Sequence, residues 1–540
     1  MTYKRFGRSH GPGIRLPVPP RTAVAGAVAL ALGLTAGNAA LAQDNSTAQQ
    51  LQDLQQQVQR LQQQINDLQA KQSTAPPAPA PAPPQPQVSA TSGAPTIAAG
   101  PLTLTFGGFT ELAIIHRNHT EFADVGSFPF ASIPYQNVEQ DTVGETRFSA
   151  RQSRFALLVQ GPHVYGLAPE YYMETDFLGA APTANSRESN SYNLRMRVFY
   201  ADFTTDAGFY LLAGQSWSLA TMYKKGLKAR DEDVPATIDA QYVSGFNWTR
   251  NPQLRMVQKF GDAFSLGLSL ESPQAVTNAT NDVPSALAAK AYPSNLLYQA
   301  TPSASGLLNS TTNYTIDVAP DVILKAALDP GYGHYEVYGL ARWFRSAVGT
   351  MSYTSTGGGV GAGMYLPIVP NVLTFQVSGL VGKGIGRYSS SQLPDFTLKP
   401  TGEPAPLSAY DVLIGLYFNP VPALQIYTYL GRDEASSKYY SATITSAGVV
   451  SGPFDYGYGS PAYNNSGCYT LGGTCVANIQ KSDEATAGFW WKYYQGTLGN
   501  LQFGFQLAYN EDTAFGGVGG SPVANVFSGF ASFRYYPYQK

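Results

Sequence analysis

The side chains of this chain that can do chemistry are charges set at alternate positions, and that spacing points to contact with passing solutes. Glu174 and Asp176 alternate with Tyr171, Met173 and Phe177, and Arg195 and Arg197 alternate with Leu194 and Met196. A period of two puts each pair on one face of a β-strand. The same reading turns Arg255 and Lys259 away from Leu254 and Met256. It also turns Lys325 away from Leu324 and Ala326, and His334, Glu336 and Arg342 away from Val337 and Trp343. A denser set follows in 216–241, where Lys224, Lys225, Lys228 and Arg230 precede Asp231, Glu232 and Asp233. No metal set, nucleophile–base arrangement or phosphate cradle stands out. His116, His119, His163 and His334 are scattered, and Gly357–Gly359 and Gly516–Gly517 read as loops without a following helix or lysine. No enzyme activity, metal or cofactor is expected.

The elements that carry these charges are set by the gaps between apolar–polar alternating segments. From about residue 102 onward, long and short gaps take strict turns. The long ones are 118–146, 179–191, 216–241, 272–319, 347–359, 383–407, 433–482 and 511–523. The short ones are 161–168, 205–207, 261–263, 330–333, 369–371, 419–422 and 495–499. Eight long and seven short gaps separate sixteen strands, with long loops on one side and tight turns on the other. That is the pattern of an antiparallel transmembrane β-barrel of the outer membrane. Charges face lipid at mid-depth only at a cost of roughly 2–4 kcal/mol for Arg or Lys, so the alternating charges should line the lumen. Thr374, Gln376, Ser378, Gln502 and Gln506 give the later strands a quieter lining. Arg151 and Arg154 fall on opposite faces under strict alternation, which requires a bulge or a rim position there.

Composition agrees. Aromatics make up 12% of the 540 residues, with 35 Tyr, while charged residues are only 13% and mean hydropathy is −0.15. A barrel needs only every second residue apolar, and tyrosine suits the membrane interfaces. The first 42 residues read as an export signal: basic Lys4, Arg5, Arg8, Arg15 and Arg21, apolar 22–37, and Ala40-Leu41-Ala42 before the cut. Its removal takes five of the 34 basic residues and no acid, leaving 29 against 36 and a net charge of −7. A mildly acidic mature chain argues against nucleic acid as a partner.

Residues 43–72 hold a heptad seam of Leu51, Leu54, Val58, Leu61, Ile65 and Leu68, read as a short periplasmic coiled coil. The alternative is a polar helix lying on its own barrel. Residues 73–100 are a Pro/Ala-rich linker, and 101–540 the barrel. The linker could hold the coiled coil off the membrane or let it reach peptidoglycan. Cys468 and Cys475 are the only cysteines, in a Gly-rich stretch of the seventh long gap, and an exported chain predicts a disulfide between them.

Several stretches resemble a known family. LLAGQSWS (211–218), NWTRNPQLRM (247–256), LGLSLESP (266–273) and ETRFSARQSRFALL (145–158), behind an N-terminal coiled coil, are similar to DcaP-like trimeric outer-membrane porins. The resemblance implies a sixteen-stranded homotrimeric channel passing small, preferentially anionic organic solutes. The chain departs from porins that end on an aromatic residue, since Pro537, Tyr538, Gln539 and Lys540 follow Tyr535. In sixteen-stranded general porins the third loop folds inward, which would make 216–241 the constriction; the alternative is a solvated surface loop. The expected function is passive diffusion of small hydrophilic solutes through the outer membrane. The competing reading is a barrel that tethers the envelope or adheres to an external partner.

Overall fold

The computed structural model describes residues 96–125, 133–179, 193–277, 292–300, 314–446 and 449–537, with isolated positions 56, 59, 60 and 63. The chain separates into two units, Met1–Gln87 and Val88–Lys540. In the first, Gln56, Gln59, Arg60 and Gln63 are helical and exposed. The export signal, the heptad seam and the proline-rich stretch up to residue 95 lie outside the described residues.

The second unit is a closed antiparallel barrel of sixteen strands. In chain order β1 is Leu102–Arg117, and β2 is Glu145–Ser149 continued by Arg154–Gln160. β3 is Leu167–Gly179, β4 Asn193–Thr205, β5 Phe209–Trp217, β6 Arg250–Phe260 and β7 Phe264–Glu271. β8 is Asp321–Leu328, β9 His334–Val348, β10 Met351–Val369, β11 Leu373–Lys383 and β12 Ser408–Val421. β13 is Leu424–Ala435, β14 Ile479–Gly496, β15 Gly499–Ala514 and β16 Val523–Tyr536. Each strand pairs with the next, and β16 returns to β1 from Thr110↔Tyr535 to Arg117↔Ser528. Closure leaves no backbone edge to face lipid.

The walls are turned inside out relative to a water-soluble protein. Outward positions such as Leu324, Val337, Leu430, Trp491 and Phe533 are exposed. Inward positions such as Arg117, Arg197, Arg255, Lys325, Arg342 and Gln506 are buried. An apolar band outside and a polar interior are what a lipid-embedded barrel requires. Among the described residues no helix is long and apolar enough to cross a membrane.

Four features depart from the spacing. The gap expected at 347–359 is a two-residue turn, because β9 and β10 pair without interruption up to Val348↔Met351. Gly357–Gly359 therefore lie in a strand. Gly358 takes φ +142, and a Cβ there would sit 2.1 Å from the Leu340 carbonyl oxygen. Glycine here permits close strand approach rather than a loop.

The second departure is in β4, where Glu174 pairs with Val198 but Thr175 pairs with Met196, leaving Arg197 as an extra residue. Beyond that bulge the faces exchange: Val198 and Tyr200 point inward and Phe199 outward. The third is β2, which breaks at Ala150–Ser153. The break puts buried Arg151 against Asp124 and leaves Arg154 on the wall, which resolves the opposite-face problem. The fourth lies at the N-terminal edge. Thr96–Ala99, in the segment read as linker, form a strand paired with the start of β1.

Smaller hairpins decorate the long-loop side: Phe396–Leu398 with Pro404–Pro406, and Lys438–Ser446 with Val449–Tyr458. Cys468 and Cys475 are joined by a disulfide in the same region.

Candidate functional site: the pore constriction

The connection 218–249 leaves β5 and returns to β6 inside the barrel. Its base is closed by Ser218 N–H donating to the Thr249 carbonyl at 2.9 Å. Trp217 packs edge-on against Phe246 and Trp248 just above that base.

From there the loop is held to the wall on both sides of the bore. Leu219 N–H donates to Glu271 of β7 at 2.8 Å, and Lys325 of β8 donates to the Thr221 carbonyl at 2.9 Å. Tyr223 N–H donates to Glu336 of β9 at 3.1 Å. The chain then descends to the short-turn end. There Gly226 N–H reaches Asp329 at 3.0 Å, Lys228 reaches Thr204 at 2.8 Å, and Arg230 pairs with Glu170.

It next crosses to the far wall. Tyr417 of β12 donates to Asp233, Tyr429 of β13 accepts from Ala236 N–H, and Trp490 of β14 donates to the Ala236 carbonyl. Ile238 N–H donates to Gln506 of β15 at 2.6 Å, and Arg534 of β16 donates to the Ile238 carbonyl at 2.9 Å. Ser244 and Gly245 then give their N–H groups to Glu484 and Asp433, each at 3.0 Å. A buried backbone donor left unsatisfied is costly, so inward-facing carboxylates and amides fix the loop's path across the lumen.

The residues singled out by spacing divide into three groups. Lys224, Lys225, Lys228, Arg230 and Asp231 are exposed on the loop. Their acidic neighbours Glu232 and Asp233 are buried, so the solvent-facing charge of this segment is mainly positive. Lys224 lies 3.6 Å from Asp233. Burial pushes the Asp233 carboxyl up to about 6, with Lys224 and the Tyr417 hydrogen bond opposing the rise. Burial likewise lifts Asp239 to about 6.

The second group is the wall cluster facing across the β3–β4 hairpin. Arg195 makes a two-pronged bond to Asp176 at 2.9 and 2.7 Å. Arg197 bridges Glu174 and Asp176, the latter at 2.9 Å, and also donates to Gln241 of the loop at 3.1 Å. Pairing thus satisfies these charges, and Arg197 links wall to loop.

The third group is sealed rather than open to the lumen. Arg255 contacts Gln253, the Tyr223 hydroxyl and the Trp217 carbonyl. Lys325 is fully buried and 2.6 Å from Glu336. Arg342 holds Asp321 at 3.1 Å, Asp395 at 2.7 Å and the Gly384 carbonyl at 2.6 Å beneath the inward-turned 384–407 connection. Alternation expects these three to line the lumen; they are buried instead, because alternation carries no information on which loop will cover them. Lys259 differs again: it is exposed beside Asp262 at the short-turn rim.

Arg342→Ala should be strongly destabilising, because it leaves Asp395 buried without its cation and Asp321 with only Arg387 at 3.5 Å, a loss of about 3–5 kcal/mol. The check is the temperature at which the barrel loses its folded mobility in detergent. An unchanged transition would contradict the buried assignment. Adding Asp395→Asn to Arg342→Ala should recover part of the loss.

The expectation of a quiet second half is corrected. Asp411, Asp433, Glu484 and Asp512 are buried inward residues of β12 to β15, and Asp411 stands directly opposite Asp433 in the ladder. Asp433 and Asp512 fell in segments read as loops, and Asp411 and Glu484 stand close to such segments. Asp433 and Glu484 accept N–H groups of the inward loop, from Gly245 and Ser244, while Asp411 accepts from Leu380 of β11.

Below the loop, on the short-turn side, a cavity of about 320 Å³ remains. Arg154, Lys492 and Arg534 line it together with Val234–Thr237, Gln425, Gln502 and Trp490, and no carboxylate does. Arg534 lies over the Trp490 ring at 4.3 Å, and its pair with Glu111 at 3.0 Å fixes it there. Lys492 was missed because nothing in its own strand marks it as near a loop 250 positions away. Among the described residues no group of three or more His, Cys, Asp or Glu is arranged to hold a metal ion.

No family model matches this chain, and no curated protein does. Among solved structures it is similar to the outer membrane channel DcaP of Acinetobacter baumannii. The TM-score is 0.54 at 16% identity, over 80% of this chain and 97% of that one. Lower scores are found for Salmonella typhi OmpF (TM-score 0.43, 8% identity, 82% and 99% covered). An anion-selective porin from Comamonas acidovorans scores 0.40 at 8% identity, with 81% and 99% covered. At such identities the likeness to DcaP establishes the fold alone, and the two lower scores carry no weight. The likeness to DcaP meets the resemblance read from the strand signatures at the level of fold.

Proposed function

We propose that this protein is an outer-membrane porin, a passive diffusion channel for small hydrophilic solutes with a preference for anions. The observation that carries the reading is the inward loop 218–249, which crosses a polar sixteen-stranded bore and turns Lys224, Lys225, Lys228 and Arg230 to solvent while Glu232 and Asp233 are buried. A barrel of this strand number is too wide for wall side chains to fill, so a loop of this kind sets the aperture. The carboxylate-free cavity below it extends the positive path toward the short-turn side. The working unit is a homotrimer in outer-membrane lipid. Its coiled coil sits in the periplasm after removal of residues 1–42, with peptidoglycan a further partner for that segment.

The test is conductance of the purified mature protein in a planar bilayer under a KCl gradient. Steps in groups of three with an anion-directed reversal potential are expected. Cation preference would remove the selectivity assignment, and no conductance would remove the channel and return the tethering or adhesive reading.

Acidification should strengthen the preference. The carboxyls of Asp233 and Asp239 are raised from 3.8 to about 6, so the folded loop favours their protonated forms. That stabilisation is complete below about 3.8 and is lost as pH rises through about 6. Passing from pH 7.5 to pH 5 therefore keeps the loop seated while removing up to two negative charges. Each is worth about 0.2 kcal/mol to an ion roughly 8 Å away at moderate salt, opposite in sign for anion and cation, so the anion-to-cation permeability ratio should rise up to about fourfold. Reversal potentials at the two pH values check this. The rise should shrink in the Asp233→Asn, Asp239→Asn variant; a full rise there would assign it to other groups.

A further inference from the structure

The cavity beneath the inward loop gathers polar side chains that the fold leaves unused. Lys492 of β14 stands opposite Gln502 of β15, and Gln502 opposite Arg534 of β16, so three donors lie at one level on neighbouring strands. Gln425 of β13 and Asn419 near the end of β12 join them, and Val234–Thr237 of the loop close the space from above. Higher in the bore the loop occupies such groups: Gln506, Glu484 and Asp433 each accept one of its N–H groups. In the cavity, the side chains of Asn419, Gln425, Lys492 and Gln502 have no hydrogen-bond or ion-pair partner among the described residues.

The charges set the valence of a fitting ligand. Arg534 is paired with Glu111 at 3.0 Å, and Arg154 has Glu174 at 3.7 Å. Lys492 is half-buried, and no carboxylate lines the cavity. One uncompensated cation in a partly enclosed space favours one negative charge. A second anionic group would meet only cations that already hold an acid.

The amides set the rest of the ligand. Each Asn or Gln side chain offers a carbonyl acceptor as well as N–H donors. An alkyl chain or a further carboxylate brings no donor and would leave those carbonyls unmet. Hydroxyl groups donate and accept, so they satisfy both ends of each amide. A site built of such groups rejects analogues that lack the hydroxyls, because its own polar atoms then go unpaired. The volume of about 320 Å³ suits a small organic solute.

We propose that this cavity binds a polyhydroxylated monoanion of the sugar-acid class, with its carboxylate on Lys492 and its hydroxyls on Asn419, Gln425 and Gln502. Arg154 and Arg534 add positive field without releasing their acids. The site rests on the porin reading above and deepens it: solutes of this class pause on the short-turn side before release, and their flux saturates.

The experiment titrates the full mature protein in detergent with gluconate and reads binding by calorimetry. Hexanoate (charge without hydroxyls) and sorbitol (hydroxyls without charge) are the comparisons. Gluconate should bind about tenfold more tightly than either. Lys492→Gln should lower gluconate to the level of sorbitol, and Gln425→Leu with Gln502→Leu should lower it to the level of hexanoate. The two variants are independent, so a folding failure in one leaves the other to decide. Equal binding of gluconate and hexanoate, or wild-type affinity in Lys492→Gln, overturns the site. KCl conductance of the same preparations keeps two failures apart. A protein that conducts and ignores gluconate loses this site and remains a porin; one that binds gluconate and does not conduct keeps the site and loses the porin reading.

Discussion

Replacing Lys224, Lys225 and Lys228 by glutamate should turn the proposed anion preference into a cation preference. All three side chains reach solvent on the inward loop, and their acidic counterparts in the same segment are mostly withdrawn from it. The substitution changes the local charge by six. An ion passing roughly 8 Å away feels about 0.5 kcal/mol per charge in water, cut to about 0.2 kcal/mol by salt at 0.1 M. Six such changes total about 1.2 kcal/mol for each ion, opposite in sign for anion and cation, or about fiftyfold in the permeability ratio. Reversal potential under a KCl gradient should change sign, and the shift should shrink as salt is raised. Lys228 also donates to Thr204 and faces the Tyr210 ring at 5.7 Å, so the single Lys225→Glu variant is the gentler control for loop placement. An unchanged sign would mean that selectivity is set elsewhere, with Arg154, Lys492 and Arg534 the next candidates.

The barrel was legible because its causes are local. Alternation, strand length and the contrast of short with long gaps are written in consecutive residues, and they return sixteen strands and the inward face of Arg195, Arg255, Lys325 and Arg342. Bulges were not legible. Arg197 is an extra residue only because Glu174 and Thr175 pair across it in a shifted register, and that is a property of two strands together. Glycine misled at 357–359, where it makes room for the Leu340 backbone instead of ending a strand. The candidate site was legible as a list and illegible as an arrangement. Lys224 to Arg230 were found, but their descent to the short-turn end depends on Asp329, Thr204 and Glu170, which lie on three other parts of the wall. The acids Asp411, Asp433 and Glu484 were missed because their role is to receive N–H groups of Leu380, Gly245 and Ser244. Such pairings span up to 240 positions and leave no period in the sequence.

Gly245→Leu should open the pore. Gly245 takes φ +79, a conformation that side-chain-bearing residues rarely adopt. A Cβ there would also fall 1.9 Å from the carbonyl oxygen of Val412, in the wall strand β12. That obstacle is backbone, so no rotamer change relieves it, and the loop must lift away. Lifting breaks the N–H bonds from Ser244 and Gly245 to Glu484 and Asp433. Each broken bond leaves a buried group unsatisfied at a cost of about 1–3 kcal/mol until water enters. Water entry is what widens the aperture, and conductance should rise at least about twofold while ion preference falls, since a sixteen-stranded bore without its loop is an aqueous channel. The wall offers an independent route to the same result. Gly431 faces the loop from β13, and a Cβ there would lie 1.8 Å from the Ser244 carbonyl oxygen, so Gly431→Leu should raise conductance as well. Gly226→Ala is the control: it shares a positive φ, +54, but has open space around it, so strain without collision should leave conductance near the wild-type value. The folded mobility of all three in detergent establishes that the barrel is intact. If Gly245→Leu and Gly431→Leu both fold and conduct as the wild type does, the seat of residues 244–245 against β12 and β13 does not control the aperture. The constriction must then be assigned to the lower segment held by Asp233, Ala236 and Ile238.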